Sequence, residues 1–197
     1  PYTDSVSPDF ISGEKDSCGV GFVANIEGIQ SNWVLKQSLR GLDCMEHRGG
    51  CGGDNDSGDG AGILCSIPWS YLEKECDFEI DQSKDVGLGM IFMPNDESLI
   101  QKLKILCDQE ASKFSSINSN WRKVPVNNNC LGPLAKANAP FILQWIVSFE
   151  KNPNSDFEFL LFHLRKRIEK KVRESFNHSG DFYFASFSSK TVVYKAV

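Results

Sequence analysis

The stretch Asp16-Ser-Cys-Gly-Val-Gly-Phe22 sets a cysteine between polar residues and an apolar, glycine-spaced run. A second stretch, Cys44-Met-Glu-His-Arg-Gly-Gly-Cys-Gly-Gly-Asp-Asn-Asp-Ser-Gly-Asp-Gly-Ala-Gly-Ile63, contains a glycine-rich turn. A thiol attacks a carbonyl only as thiolate, so a catalytic cysteine needs a nearby base or a lowered pKa. Together the stretches indicate a nucleophile, Cys18, at a strand start, facing a turn that supplies Arg48. The alternative is a structural cysteine in a buried strand.

The loop Asp54–Gly62 invites two other readings, which the sequence disfavours. As a calcium loop it begins well with Asp54 and Asp56, but Asp59 replaces the required glycine and Cys65 stands where a glutamate should be. As a nucleotide loop it lacks both G-x-G-x-x-G after a strand and the lysine of a phosphate loop. A tight turn between a helix and a strand is the stronger interpretation. Arg48 is then either a solvated helix end or an active-site residue, and the pattern alone leaves both open.

Composition narrows the class of protein. The 197 residues are 41% hydrophobic and 24% charged, which is ordinary for one globular domain. A net charge of −5 without a long basic tract gives no support to nucleic-acid binding, and no apolar stretch of about 18 residues predicts a membrane span. The seven cysteines are odd in number and lack a C-x-x-C pair. We therefore expect a reducing compartment and mostly buried thiols, not a disulfide scaffold or zinc site.

Residues 1–17 are predicted to form an extended leader, unlike a signal or transit peptide. Apolar periodicity then predicts alternating strands and helices. The predicted strands are 19–26, 60–67, 86–93, 121–126 and 141–149, with a closing hairpin of 181–187 and 191–195. The predicted helices are 32–45, 69–74, 97–114 and 156–175, the first ending at a left-handed glycine turn near 48–50. This order indicates a layered α/β domain with mixed or antiparallel sheets.

The two opening stretches carry a resemblance to a known family. Cys18-Gly-Val-Gly-Phe22, Met45-Glu-His-Arg-Gly-Gly-Cys51 and Asp54–Gly62 closely resemble the start of ferredoxin-dependent glutamate synthase of the plastid and cyanobacterial type. The likeness continues through Gly87–Phe92, Trp121–Val126 and Thr191–Lys195. That family begins with a type-2 glutamine amidotransferase domain of the N-terminal-nucleophile hydrolase fold. The resemblance therefore implies an α+β, four-layer αββα sandwich, incomplete at its C-terminal end.

The resemblance also implies residue roles. Residues 1–17 would be a leader or uncleaved propeptide, and 18–197 the N-terminal portion of the glutaminase domain. Cys18 would become the first residue, and its freed α-amine, which titrates near pH 7.7–8.0, would serve as the base. The thiolate would attack glutamine and release ammonia, and the thioester would hydrolyse to glutamate. Arg48 and Gly49 would belong to the turn that binds the substrate.

The family's other parts set further expectations. This chain would carry no cofactor, whereas FMN and an iron–sulfur cluster belong to the family's other domains. Implied partners are glutamine, the rest of glutamate synthase and ferredoxin, in a plastid stroma or a cyanobacterial-type cytoplasm. Because seventeen residues precede Cys18 and the chain stops before the family's Asn-Gly oxyanion element, we expect it to be inactive alone. The alternative is a truncated, non-catalytic relative that serves as a structural or interaction subunit of a larger, plastid assembly.

Overall fold

The computed structural model describes residues 19–50, 52–176 and 181–196, without the side chains of Arg48 and Ala196. The predicted leader lies outside these residues. The helices are α1 (Asn32–Asp43), α2 (Trp69–Glu75), α3 (Glu97–Ser112), α4 (Pro133–Ala137) and α5 (Phe157–Ser175), with 3₁₀ turns at Glu46–Arg48 and Asn128–Cys130. The strands are β1 (Ala61–Ser66), β2 (Asp85–Met93), β3 (Ser116–Lys123), β4 (Phe141–Phe149), β5 (Tyr183–Ser188) and β6 (Thr191–Ala196).

A four-stranded antiparallel sheet, in the order β3-β4-β2-β5, lies at the centre of the described chain. Its inner strands β2 and β4 pair along their full lengths, from Asp85 opposite Phe149 to Met93 opposite Phe141. Both strands are mostly apolar and mostly buried, because both faces of the sheet are covered. The predictions of these two strands, made from their apolar character, are confirmed.

The alternation of side chains along β2 and β4 divides the core in two. On one face, residues such as Met93 and Trp145 pack with α3 and α5. On the other face, Leu88 and Ile146 pack with α2 and with Val192 of a second, two-stranded sheet made of β1 and β6. Helix α1 contacts β1. The predicted layered α/β architecture with antiparallel sheets is confirmed.

A buried carboxylate joins the two helices of the first core. Glu110 of α3 is 4% exposed and accepts bonds from Lys113 and from Arg167 of α5. Burial raises the pKa of Glu110, but the bonds from Lys113 and Arg167 outweigh it, so the pKa lies below its ordinary value. The ionised form is therefore the one that stabilises the fold.

We expect Glu110→Gln to lower the free energy of unfolding by about 1–2 kcal/mol at pH 7, because both cationic partners are half exposed and screened by solvent. Because the folded pKa of Glu110 is below its unfolded value near 4.5, this stabilisation is present above pH 4.5 and is lost as the pH falls through the folded pKa. Urea unfolding at pH 7 and at about pH 3 measures it. A variant difference that is as large at the lower pH contradicts the argument, and the exposed Glu79→Gln serves as control.

The predicted strand over 19–26 is wrong. A strand needs a partner for its backbone N–H and C=O groups, and no residue in the described ranges supplies one to this segment. Its apolar side chains consequently remain in solvent, with Val20 and Phe22 each 95% exposed. A turn follows this segment: Gly28 has φ +71°, and its N–H donates to the Asn25 carbonyl at 3.0 Å.

The predicted closing hairpin is also wrong in its pairing. Within the described chain β5 pairs with β2, whereas β6 pairs with β1, so the two strands belong to different sheets. Side chains direct this change of layer. The Ser188 hydroxyl accepts bonds from the N–H groups of Lys190 and Thr191, and the Ser186 hydroxyl accepts one from Val193. The Glu158 carboxylate of α5 then fixes the turn by accepting from Ser188 and Ser189.

Two further elements differ from the prediction. The strand predicted over 121–126 is β3, which begins at Ser116 and ends at Lys123. Its polar first half has weak strand propensity, but as an edge strand it needs only one neighbour, β4, and can leave one face polar. The short helix α4 was missed altogether, although Pro133 at its first position is a typical helix-start signal.

Candidate functional site

Of the predicted site residues, the structure describes the backbone of the Arg48–Gly49 turn. Cys18 lies outside the described residues, as does Cys51, and so does the side chain of Arg48. The backbone of Arg48 closes the 3₁₀ turn that begins at Glu46, and the Gly49 N–H donates to the Glu46 carbonyl at 3.0 Å. The pairing of Cys18 with this turn therefore stays a prediction.

Helix α1 leads the chain into the turn. The Ser31 hydroxyl accepts a bond from the Val34 N–H and caps the helix start. The helix ends at Asp43, and Gly49 has φ −89°, so the predicted left-handed glycine turn at the helix end is wrong. The next residue, Gly50, lies against the side chain of Asp59.

The Asp59 carboxylate holds the turn from across the loop. Its Oδ2 accepts a bond from the Gly50 N–H at 2.7 Å. A Cβ placed on Gly50 would lie 2.7 Å from the same oxygen, which is closer than real Cβ contacts. A larger residue at position 50 would therefore require the Asp59 side chain to shift and would disturb this bond. We call this bond the Asp59 tether.

The Asp54 carboxylate holds the loop tip. It accepts bonds from the Ser57 N–H at 2.8 Å, the Ser57 hydroxyl at 2.6 Å, the Asp56 N–H at 3.2 Å and the distant Leu134 N–H at 2.9 Å. The hydroxyl bond from Ser57 is the largest cause that lowers the pKa of Asp54 far below its ordinary value, and the backbone bonds from Leu134 and Ser57 follow. Because its oxygens are occupied by protein donors, the calcium reading gains no support.

Ser57 completes a joint between the loop and α4, which we call the Asp54 clamp. Its buried hydroxyl accepts a bond from the Ala135 N–H at 2.9 Å, while Asp54 accepts from Leu134. Both amides belong to the first turn of α4, where backbone donors have no partner within a helix. Gly132 permits the contact, since a Cβ there would lie 2.6 Å from Ser57 N and Oγ.

Two adjoining cavities lie where the end of α4 meets β2 and β6. The larger, of about 420 Å³, has polar lining residues that include Asn138 and Asp181. The smaller, of about 280 Å³, is lined mainly by apolar residues and by Cys130. Lys195 lines both cavities, and its Nζ lies 4.3 Å from the ring centre of Tyr183. Because Lys195 pairs with Gly62 across β6 and β1, the cavities lie at the sheet end where the loop enters β1.

Comparison with known proteins decides the family. A family model described as class-II glutamine amidotransferases matches residues 18–197. The chain belongs to this family. Ferredoxin-dependent glutamate synthase 1, chloroplastic/mitochondrial, of Arabidopsis thaliana is 40% identical over 191 residues, which are 95% of this chain and 12% of the relative. Ferredoxin-dependent glutamate synthase 2 of Synechocystis is 38% identical over 93% of this chain and 12% of its own length.

A third relative agrees with these two. The ferredoxin-dependent glutamate synthase of Antithamnion is 38% identical over 197 residues, 96% of this chain and 13% of the relative. The resemblance to ferredoxin-dependent glutamate synthase is therefore confirmed. This class-II glutamine amidotransferase chain spans about one-eighth of the length of the relatives it matches. No helix among the described residues is long and apolar enough to cross a membrane.

The described thiols of this amidotransferase chain differ from expectation. Of the five cysteines that the structure describes, only Cys107 is buried, whereas Cys44 and Cys130 are exposed, so the expectation of mostly buried thiols is wrong. Burial raises the pKa of the thiols of Cys65, Cys76 and Cys107, which makes them weaker nucleophiles at neutral pH. Within the described residues, no group of three or more His, Cys, Asp or Glu residues is placed to hold a metal ion.

The sequence missed the residues that hold the loop. The sequence pattern indicates only a turn or a calcium loop for Asp54, Ser57 and Asp59. It gives no role to Gly132. A signal was present in the spacing of Asp54 and Ser57, since an aspartate commonly accepts bonds from the backbone two or three residues later. The contact with α4 gave no such signal, because Leu134 lies 80 residues from Asp54.

Proposed function

We propose that residues 18–197 form the N-terminal portion of a glutaminase domain that hydrolyses glutamine for glutamate synthesis, and that residues 1–17 are a leader removed before Cys18. The observation that carries this proposal is the family match, which begins at Cys18 and includes the Arg48–Gly50 turn. The named relatives support glutamate synthase as the context. The Asp59 tether supports a role for the Arg48–Gly50 turn in substrate binding, because binding sites need backbone groups that are held in place.

The proposed reaction begins at the cysteine. Once the chain starts at Cys18, the free α-amine accepts the thiol proton near neutral pH. The thiolate attacks the amide carbon of glutamine, the C–N bond breaks and ammonia leaves with a proton. Water then attacks the thioester, which releases glutamate and restores the thiol. Arg48 and Gly49 contribute to the binding of glutamine from the turn.

The relatives support a proposal for the cofactors, the cellular location and the complete fold of the enzyme. FMN and an iron–sulfur cluster belong to other domains of a glutamate synthase, where ammonia meets 2-oxoglutarate and ferredoxin supplies electrons. The Arabidopsis thaliana relative is named as chloroplastic/mitochondrial, a relative from Oryza sativa is named as chloroplastic, and a third comes from Synechocystis. These names support a plastid or cyanobacterial location. In the complete domain, α3 and α5, the two sheets, and α1 form the four layers of an αββα sandwich. The contact between α1 and β1 supports this arrangement.

A second candidate is a non-catalytic subunit of a larger assembly. The exposed apolar residues of the first part of the chain favour it, because surfaces of this kind mark interaction sites. They are Val20, Phe22, Ile26, Ile29, Trp33 and Leu64. The same surface also suits a glutaminase domain, in which further polypeptide covers it. The exposure of these residues therefore does not favour the subunit over the glutaminase domain.

A glutaminase assay combined with N-terminal sequencing tests the two candidates. We expect the longest native form of the protein, once it begins at Cys18, to release glutamate and ammonia from glutamine in equal amounts. Protein that keeps residues 1–17 is expected to be inactive, because its Cys18 amine is locked in a peptide bond. Absence of turnover in the longest native form, with Cys18 exposed as the first residue, contradicts the glutaminase proposal. Stable assembly with a larger complex would then favour the subunit.

A further inference from the structure

We propose that Asp59 and Asp54 are positioning residues that hold the Arg48–Gly50 turn in its substrate-binding geometry. This inference rests on the proposed function, because it assigns a purpose to that turn in glutamine binding. Neither carboxylate is assigned to the chemistry. Each acts through backbone groups of the loop, which links the turn to the wall of the larger cavity.

The first step is the Asp59 tether. Gly49 and Gly50 form an exposed pair, and glycine backbone has more conformations to lose than any other residue. The turn therefore needs an external restraint if it is to keep one geometry before substrate arrives. The bond from Gly50 N–H to Asp59 supplies that restraint and closes the loop at its base. A charged acceptor makes it stronger than a bond to a neutral group.

The second step is the Asp54 clamp. The tether alone fixes the two ends of the loop to each other but not to the rest of the protein. Within the loop, the Gly52 N–H donates to the Ser57 carbonyl at 2.6 Å, so the tip is itself a closed turn. Asp54 and Ser57 then bind the Leu134 and Ala135 amides of α4.

The third step connects the clamp to the cavity. Helix α4 ends at Ala137, and Ala137 and Asn138 line the larger cavity together with Lys195. The loop enters β1 beside the same Lys195. Tether and clamp consequently fix the backbone of the turn with respect to one cavity wall. A turn that must be ordered upon binding would weaken the apparent affinity for substrate by the fraction of time spent in the competent geometry.

Amide hydrogen exchange tests the Asp59 tether in an experiment that does not require enzymatic activity. In Asp59→Ala, we expect the Gly50 amide to exchange at least about fivefold faster, because one hydrogen bond to a charged group is lost. In Asp54→Ala, the Leu134 amide is expected to respond in the same way. The control is Asp81→Ala, which removes a comparable carboxylate that accepts a 2.9 Å bond from the Ser83 N–H in another turn. Unchanged exchange at Gly50 in Asp59→Ala overturns the inference, whatever the activity.

Kinetics of the longest native form that begins at Cys18 tests the role. We expect Asp59→Ala to raise KM for glutamine about tenfold and to change kcat less than about threefold, with Asp81→Ala unchanged. Asp59→Asn keeps a side-chain oxygen acceptor and is expected to recover most of the KM. A wild-type KM in folded Asp59→Ala overturns the positioning role. If the wild-type form itself lacks turnover, the proposed function fails, and the exchange result alone decides whether the tether exists.

Discussion

Cys18→Ala is expected to reduce glutamine hydrolysis at least about a thousandfold in the longest active form of the protein that begins at residue 18. Alanine keeps the free α-amine, which is the proposed base, but offers no atom that can attack the amide carbon. A loss of this size therefore separates the nucleophile from the groups that only bind substrate. Glutamate release measured under saturating glutamine gives the comparison, and circular dichroism checks that the fold is unchanged.

Cys44→Ala is the matched control for this substitution. Cys44 is exposed at the end of α1, and its thiol has no part in the proposed reaction. We expect this variant to keep glutaminase activity within about twofold. Retention of full activity in Cys18→Ala would show that another group is the nucleophile. If the chain is a structural subunit instead, Cys18→Ala should leave its assembly unchanged.

The central strands and long helices were predictable because burial on both faces leaves a simple pattern. Strands β2 and β4 are mostly apolar, and their predicted bounds agree with the structure to within one residue. Helix α5 was predicted from Asp156, which the structure shows as its N-cap. In these elements the local preference and the tertiary environment favour the same conformation.

The elements that failed depend on neighbours distant in sequence. The segment 19–26 has the composition of a buried strand, but composition cannot supply the partner that a strand requires. The hairpin prediction assumed that adjacent strands pair, whereas the Ser186 and Ser188 side chains direct β6 to a different sheet. Strand β3 was placed too late because its first half is polar, and an edge position tolerates that.

The candidate site also has one part that the sequence predicts and another that depends on the fold. The motif around Arg48 and Gly49 singles out the turn, because its residue types match a known family over many positions. The restraints on that turn could not be predicted, since they join Gly50 to Asp59 and Asp54 to Leu134. Side-chain acceptors for specific amides leave little trace in composition or periodicity. These bonds depend on the fold, which brings the loop next to α4.

Trp145→Ala is expected to lower the free energy of unfolding by about 3–5 kcal/mol, the usual range for removal of a large buried aromatic side chain. Trp145 has no exposed surface and stacks on Trp121, with ring centres 5.5 Å apart, and on Phe187, at 5.2 Å. Its indole N–H donates to Asp108 at 3.0 Å and to Ser119 at 2.7 Å. The substitution therefore removes packing and polar contacts together. Urea unfolding of the 197-residue chain measures the change.

Two further substitutions separate these contributions. Trp145→Phe keeps an aromatic ring in the core but removes the N–H donor, so we expect a smaller loss of about 1–2 kcal/mol. Trp33→Ala removes the same side chain from a position that is 61% exposed, where about 0.5 kcal/mol or less is expected. If Trp33→Ala cost as much as Trp145→Ala, the stability would not depend on burial in the core between β4 and the two helices. The order Trp145→Ala, Trp145→Phe, Trp33→Ala is the result that the packing requires.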